Sequence, residues 1–210
     1  MIQINLRKIF GLILLIFTVN AMATTEPKFD LLEKSDGFEL RQYHPMIIAE
    51  VLVEGDMEQA SNKGFRLIAD YIFGNNQRKS GQSAKIAMTA PVTLQPKSEK
   101  IAMTAPVTLA SEAGKWRVNF VMPAQYTMDT LPSPNNSQVM LRQIPVRKVA
   151  VLRFSGLVNA EKTAQKTKEL LTWMAGKKLE ASSAEPELAR YNPPWTLPFL
   201  RRNEIMIQYE

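Results

Sequence analysis

The sequence predicts an α+β fold, with one antiparallel sheet, curled or closed into a barrel, and two helices packed against it. Three observations lead there. Leu40-Arg41-Gln42 recurs as Leu141-Arg142-Gln143, and at the same offset of 101 residues Ala49 matches Ala150, Val51 Leu152, Val53 Phe154 and Gly55 Gly156. Around both copies, short β-branched and apolar runs lead through a glycine into a helical period, so each half reads strand, strand, helix and then more strand. Finally, the decapeptide KIAMTAPVTL occurs twice, from Lys85 to Leu94 and from Lys100 to Leu109, where helix should give way to sheet.

The first residues stand apart from the fold. Arg7 and Lys8 precede an apolar run from Ile9 to Val19, and Ala21-Met22-Ala23 supplies small residues around a cleavage point. These are the three parts of a secretory signal peptide. The apolar run is about half of the roughly 20 residues a spanning helix needs. Residues 1–23 are therefore read as a signal peptide cleaved after Ala23, leaving one domain over 24–210 in the periplasm or outside the cell, with no stable membrane anchor. A monomer is expected.

In the first half, Phe38 to Tyr43 and Met46 to Glu54 read as strands, interrupted at Pro45, which cannot donate to a ladder. Asp56 is a fitting N-cap for a helix with Ala60, Gly64, Leu67, Ile68, Tyr71 and Ile72 on one face, stopped by Gly74-Asn75-Asn76. In the doubled motif, alternation would put Ile86, Met88 and Ala90 on one face, with a bend at Pro91 and again at Pro106. The polar stretch Gln95 to Glu99 suggests a hairpin with one copy on each arm, followed by a strand from Trp116 to Met122. Leu131 to Ser137 is the turn-rich joint between halves. Val139 to Ile144 and Val149 to Phe154 are strands. Asn159 caps a helix with Ala160, Thr163, Ala164, Thr167, Leu170, Leu171 and Met174 inward, ending at Gly176.

Composition narrows the chemistry. The chain has no cysteine and one histidine, which excludes thiolate catalysis, Cys-ligated zinc, iron–sulfur clusters and covalent c-type haem. Its 26 basic and 20 acidic residues give a formal charge of +6, spread without an aromatic-interleaved basic block, so nucleic acid is not an expected partner. No nucleophile elbow, phosphate loop or His-x-x-x-His spacing is present, and no enzymatic activity is expected.

KIAMTAPVT, the Gly-Asn-Asn helix end and Arg190 to Glu204 (RYNPPWTLPFLRRNE) together resemble the SOUL haem-binding protein family, from about Phe29 to the C-terminus. The resemblance implies a distorted antiparallel β-barrel of two pseudo-symmetric ββαββ halves, each with a helix. It also implies non-covalent binding of haem b or another tetrapyrrole, in a groove beside the first helix and the C-terminal loop. Within that frame, Phe65, Ala69 and the stem of Arg66 are candidates to meet a flat ligand on the flank of the first helix. Trp195 and Phe199 offer apolar faces, and Arg201 and Arg202 could pair with propionates. The alternative is that Tyr191 and Trp195 plug a barrel end while Arg202 pairs with Glu204. His44, at the strand break, is a candidate axial iron ligand or a solvated turn residue. Met88 and Met103 are candidate soft ligands or core residues. The expected role is a carrier or buffer of tetrapyrrole in the periplasm. The rival readings are a binding module for another amphipathic molecule, a structural or interaction domain without small ligand, and a weak esterase.

Overall fold

The computed structural model describes residues 26–96, 115–182 and 184–210. In chain order the elements are β1 (Phe29–Ser35), β2 (Phe38–Tyr43), β3 (Met46–Glu54), α1 (Met57–Phe73), β4 (Asn76–Gln77), β5 (Val92–Pro96) and β6 (Lys115–Val121). There follow β7 (Ser133–Pro134), β8 (Met140–Ile144), β9 (Arg147–Phe154), α2 (Ala160–Gly176), β10 (Glu187–Arg190) and β11 (Asn203–Gln208). Nine strands make one curled antiparallel sheet in the order β1-β2-β9-β11-β10-β5-β6-β3-β8, and β4 pairs with β7 apart from it.

Without β1, that order reads the same from either end when β2-β3-α1-β5-β6 is laid on β8-β9-α2-β10-β11. The duplication read from the sequence is therefore present in the topology, with a pseudo-twofold between β5 and β10. The first strand of each half crosses over: β2 pairs with β9, and β8 with β3. Even the register repeats. Arg41 faces Val149 as Arg142 faces Ile48, and each residue of one pair lies 101 positions from its counterpart in the other. This exchange welds the two halves into one sheet.

β1 was not expected from the sequence, because its side chains are mostly exposed and show no alternation. It is held by the tight Asp36-Gly37 turn, where both residues have positive φ, 44° and 88°, as a hairpin turn of the Asp-Gly kind requires.

The helices begin where their caps lie. The Asp56 side chain accepts from the backbone N–H groups of Glu58 and Gln59, while Gln59 returns a bond to the Asp56 N–H, completing a capping box. Asn159 caps α2 through the Lys162 N–H at 2.8 Å. α1 lies close on β6: a Cβ at Gly64 would stand 2.6 Å from that of Val118. The core fills the helix side of the sheet, around Val51, Ile68, Ile72, Phe120, Leu152 and Ile205. α2 turns Thr167, Leu170 and Met174 inward, whereas Leu171 is exposed.

The first KIAMTAPVTL copy differs from the expected alternation. Ile86 and Ala90 are buried, but Met88 is exposed and Thr89 is buried in its place, with its hydroxyl donating to the Val121 carbonyl. Only from Val92 onward does the segment enter a named strand, after a cis Ala90–Pro91 peptide; proline cannot donate to a ladder, and strand geometry starts just past it. β5 is paired on one edge with β10 and on the other with β6, which in turn pairs with β3. The second copy, Pro106, Met103 and the expected hairpin between copies lie outside the described residues. On the described residues, β5 runs directly against β6.

On the face away from the helices sits a buried charge network. Both guanidinium Nη atoms of Arg41 reach Glu204, at 2.9 and 3.0 Å, and its Nε reaches Glu39 at 2.7 Å. Glu204 also accepts from the Tyr191 hydroxyl at 2.6 Å and from Arg202 Nε at 2.9 Å. Burial by itself would raise the Glu204 carboxyl, but the hydrogen bonds and charge of Arg41, with Tyr191 and Arg202, hold it below its ordinary value. A carboxyl depressed in the fold contributes stability that is complete above its unfolded pKa and disappears as pH falls through the lower folded one.

Two predictions follow from the fold. Glu204→Gln removes the buried countercharge of Arg41, and an urea melt at neutral pH should show a loss of about 3 kcal/mol or more. The wild type's extra stability over this variant should shrink as pH is lowered below about 4, and an unchanged difference would contradict the assignment. Deleting residues 85–99 leaves one intact KIAMTAPVTL between Ala84 and Ala110, because the two copies are identical. The shortened chain should fold with an unaltered circular dichroism spectrum, whereas deletion of both copies should abolish the cooperative melt.

Candidate functional site

β2 ends at Tyr43, and His44-Pro45 turns the chain into β3. At the same end of the sheet β6 runs out at Val121, and Met122-Pro123 leads into a loop. The two ends are tied by the Met122 N–H to the Ile47 carbonyl at 2.7 Å, and the segment before β1 is tied in by the His44 N–H to the Lys28 carbonyl at 3.1 Å. Between them lies a cleft of about 560 Å³, within the range of small-molecule sites. Its apolar wall is formed by Met46, Ile47, Val121, Pro123, Tyr126 and Met128, and its rim carries His44, Lys28, Glu26, Asp129 and Gln143.

His44 is about half exposed, at 48 %, with Nε2 3.1 Å from Asp30 Oδ2. A carboxylate on one ring nitrogen orients the imidazole and leaves Nδ1 unengaged by any described group, the arrangement in which histidine serves as a metal ligand with a supporting carboxylate. The thioethers of Met46 and Met128 add soft, adaptable surface. The cleft thus combines an apolar wall with an imidazole, one cation at Lys28 and the carboxylates of Glu26 and Asp129 at its rim. A second groove, of about 500 Å³, runs along α2 over the stacked rings of Phe38 and Trp173, 4.9 Å apart, but it is open to solvent and flanked by long polar side chains.

The remaining candidates do not gather at the cleft. Phe65 is partly exposed with its ring tilted on that of Phe120, 5.4 Å away, and Arg66 is exposed beside it on α1. Ala69 does not lie on an open flank. It is buried, since the packed face of α1 is broad enough to take in Ser61, Gly64, Ile68, Ala69 and Ile72, and a bulky side chain there would overpack the core. Trp195 and Phe199 stand out in solvent; of the two residues expected to plug a barrel end, Trp195 does not, and Tyr191 is half-buried with its hydroxyl on Glu204. Arg201 is turned back onto its own loop, donating to the carbonyls of Thr196 at 2.8 Å and of Pro194. Arg202 is committed to Glu204 and to Glu26, 2.8 Å away, the alternative anticipated for it. Lys28, Met46, Tyr126 and Met128 carried no signal in the sequence. They come from three separate segments, and only the prolines 45 and 123, which end the strands there, mark the place.

Several solved structures share this fold. The C-terminal domain of EcmrR superposes with a TM-score of 0.59 at 11 % identity, over 82 % of this chain and 96 % of that one. An uncharacterized conserved protein from Listeria innocua gives 0.59 at 12 % identity, covering 89 % and 93 % of the two chains. A hydrolase from Listeria innocua gives 0.56 at 12 %, covering 85 % and 94 %. At such identities these likenesses concern the fold alone. No curated protein matches the chain. The profile of the SOUL heme-binding proteins matches residues 24–208, which take in every described strand and helix. The chain belongs to the SOUL haem-binding protein family.

Proposed function

We propose that the protein binds haem or a related tetrapyrrole non-covalently in the cleft beside His44, and carries or buffers it in the periplasm after removal of residues 1–23. The observation that carries this reading is that the chain's one histidine, supported by Asp30, stands at the rim of a methionine- and tyrosine-lined cleft in a member of this family. Haem b, when bound, supplies a broad apolar face, two propionates and an iron that accepts axial donors. Met46, Tyr126 and Met128 take the apolar face out of water, at roughly 25 cal/mol per Å² before the costs of association. His44 would offer a nitrogen donor to the iron, and Lys28 would meet a propionate. The role is one of binding, and no residue in the cleft is assigned a catalytic step.

A second reading rests on the rim carboxylate Asp129, which unlike the Arg202-paired Glu26 has only Lys79 at 3.9 Å to offset it and would repel propionates. It favours another amphipathic molecule, with a neutral or cationic end.

A haemin titration of the chain from Thr24, beside His44→Ala, tests the first reading. A saturable one-to-one Soret shift is expected, weakened at least tenfold or displaced in wavelength in the variant. If haemin gives only non-saturating drift while a cationic amphiphilic dye binds one-to-one, the second reading stands. If neither binds, the domain is a structural or interaction module. Fractionation of expressing cells should place the protein in the periplasm with Thr24 at its N-terminus; a cytoplasmic protein that keeps Met1 would remove the carrier role outside the cytoplasm.

A further inference from the structure

The β10–β11 connection, Tyr191 to Arg202, is built unlike a solvated loop. Its sequence, YNPPWTLPFLRR, contains no acid, and its large apolar side chains point outward: Trp195 is 83 % exposed, Phe199 70 %, Leu200 61 % and Leu197 56 %. Leu157 joins them at 62 %, because the Gly156 N–H donates to the Pro198 carbonyl at 2.9 Å and brings the β9–α2 turn against the loop.

The exposure is not slackness. At the base, the Tyr191 N–H bonds the Arg202 carbonyl at 3.2 Å and the Arg202 N–H bonds Asn192 Oδ1 at 2.6 Å. Inside, Arg201 clasps the carbonyls of Pro194 and Thr196, Pro198–Leu200 forms a 3-10 turn, and Pro193, Pro194 and Pro198 fix the backbone further. Five large apolar side chains are thus held in water by a rigid frame. Such a surface marks a partner rather than an incomplete core. None of them lines the cleft beside His44.

The charge around this edge selects the partner. Arg201 lies in the loop, Arg153 next to the end of β9 and Lys162 in the first turn of α2 beside Glu161, and among the described residues none of these three cations has a carboxylate within ion-pair distance; Arg201 instead donates to carbonyls of its own loop and Lys162 to the Ser155 carbonyl at 3.1 Å. From Thr24 onward the chain is basic, with 24 basic and 20 acidic residues, a formal charge of +4. An aromatic and leucine tip over a basic rim matches a bilayer, where Trp and Phe settle at headgroup depth and cations meet anionic lipid. We propose that the Pro193–Leu200 loop, with Leu157, docks the protein reversibly on an anionic membrane surface. It enters only the interfacial layer, and it acts independently of whatever occupies the cleft.

Flotation with vesicles tests this, using the chain from Thr24 so that the apolar segment before it does not contribute; every described strand and helix lies after that point. Vesicles of phosphatidylcholine with about 30 % phosphatidylglycerol should carry the protein upward at low salt, with a blue shift of tryptophan emission. Association should fall about tenfold or more at 0.5 M salt, on phosphatidylcholine alone and in Trp195→Ser/Phe199→Ser, and it should weaken in Lys162→Glu. Because these side chains are exposed, the double variant should keep the wild-type melt and the same haemin titration. The proposal is overturned if wild type fails to float with anionic vesicles at low salt, or if the double variant floats equally well. It is also overturned if the double variant alters ligand binding in the cleft, or if wild type dimerises in sedimentation and the variant does not.

Discussion

The buried pair of Arg41 and Glu204 is the constraint around which the second half of the sheet is organised. Removing an arginine and a glutamate from water costs several kcal/mol each unless their hydrogen bonds are met. Here they are met by Glu39, Tyr43, Tyr191 and Arg202. The pair spans β2 and β11 across β9, so it fixes three strands at once. It also fixes register: a slip of β2 by one residue would turn Arg41 onto the helix side, among Leu152 and Ile205, with no carboxylate to receive it. Hydrophobic alternation makes that slip unfavourable, and the buried charge makes it prohibitive.

The pseudo-twofold shows how the same backbone carries a different solution in the first half. Glu50 occupies on β3 the place that Val151 occupies on β9, and it is flanked by Arg142 at 2.9 Å and Arg117 at 3.4 Å. Arg142 is the counterpart of Arg41, while Arg117 stands where Glu204 stands in the other half. In one half two arginines share a central carboxylate; in the other the carboxylate has moved to the flank and an apolar residue fills the centre. Geometry has been retained and charge redistributed. The site is asymmetric for the same reason. The position equivalent to His44 is Pro145, so only one end of the sheet presents an imidazole.

What was legible in the sequence follows from how locally each feature is determined. β2, β3 and α2 were read with near-correct limits because Pro45, Asn159 and Gly176 punctuate clear apolar periods. β1 was missed because an edge strand with exposed side chains needs no apolar pattern, though Asp36-Gly37 did mark its turn. The Met88 face was misread because alternation was applied to a segment that proline keeps out of the ladder. Arg41 is illegible in principle: an arginine on a strand reads as surface until its partner, 163 positions away, is known. The same holds for the cleft. His44 could be singled out as a lone imidazole at a strand break, but Lys28, Tyr126 and Met128 reach it only through the fold. Arg201 and Arg202 were recognisable as cations and Glu204 as a partner of Arg202, whereas the carbonyls that hold Arg201 and the Glu26 carboxylate on Arg202 were not.

The charge network also joins the two surfaces to which roles are assigned. Glu204 holds Arg202, Arg202 lies over the Tyr191 ring and holds Glu26, and Glu26 with Lys28 forms part of the cleft rim. Tyr191 and Arg202 are at the same time the two ends of the apolar loop. One buried carboxylate therefore anchors the base of the loop and one lip of the cleft. The side chains that would meet lipid and those that would meet a ligand are nevertheless disjoint sets. Changes at Trp195 or His44 should act on one surface each, whereas the loss of Glu204 should loosen both. It is this shared root, rather than direct contact, that relates the cleft to the loop.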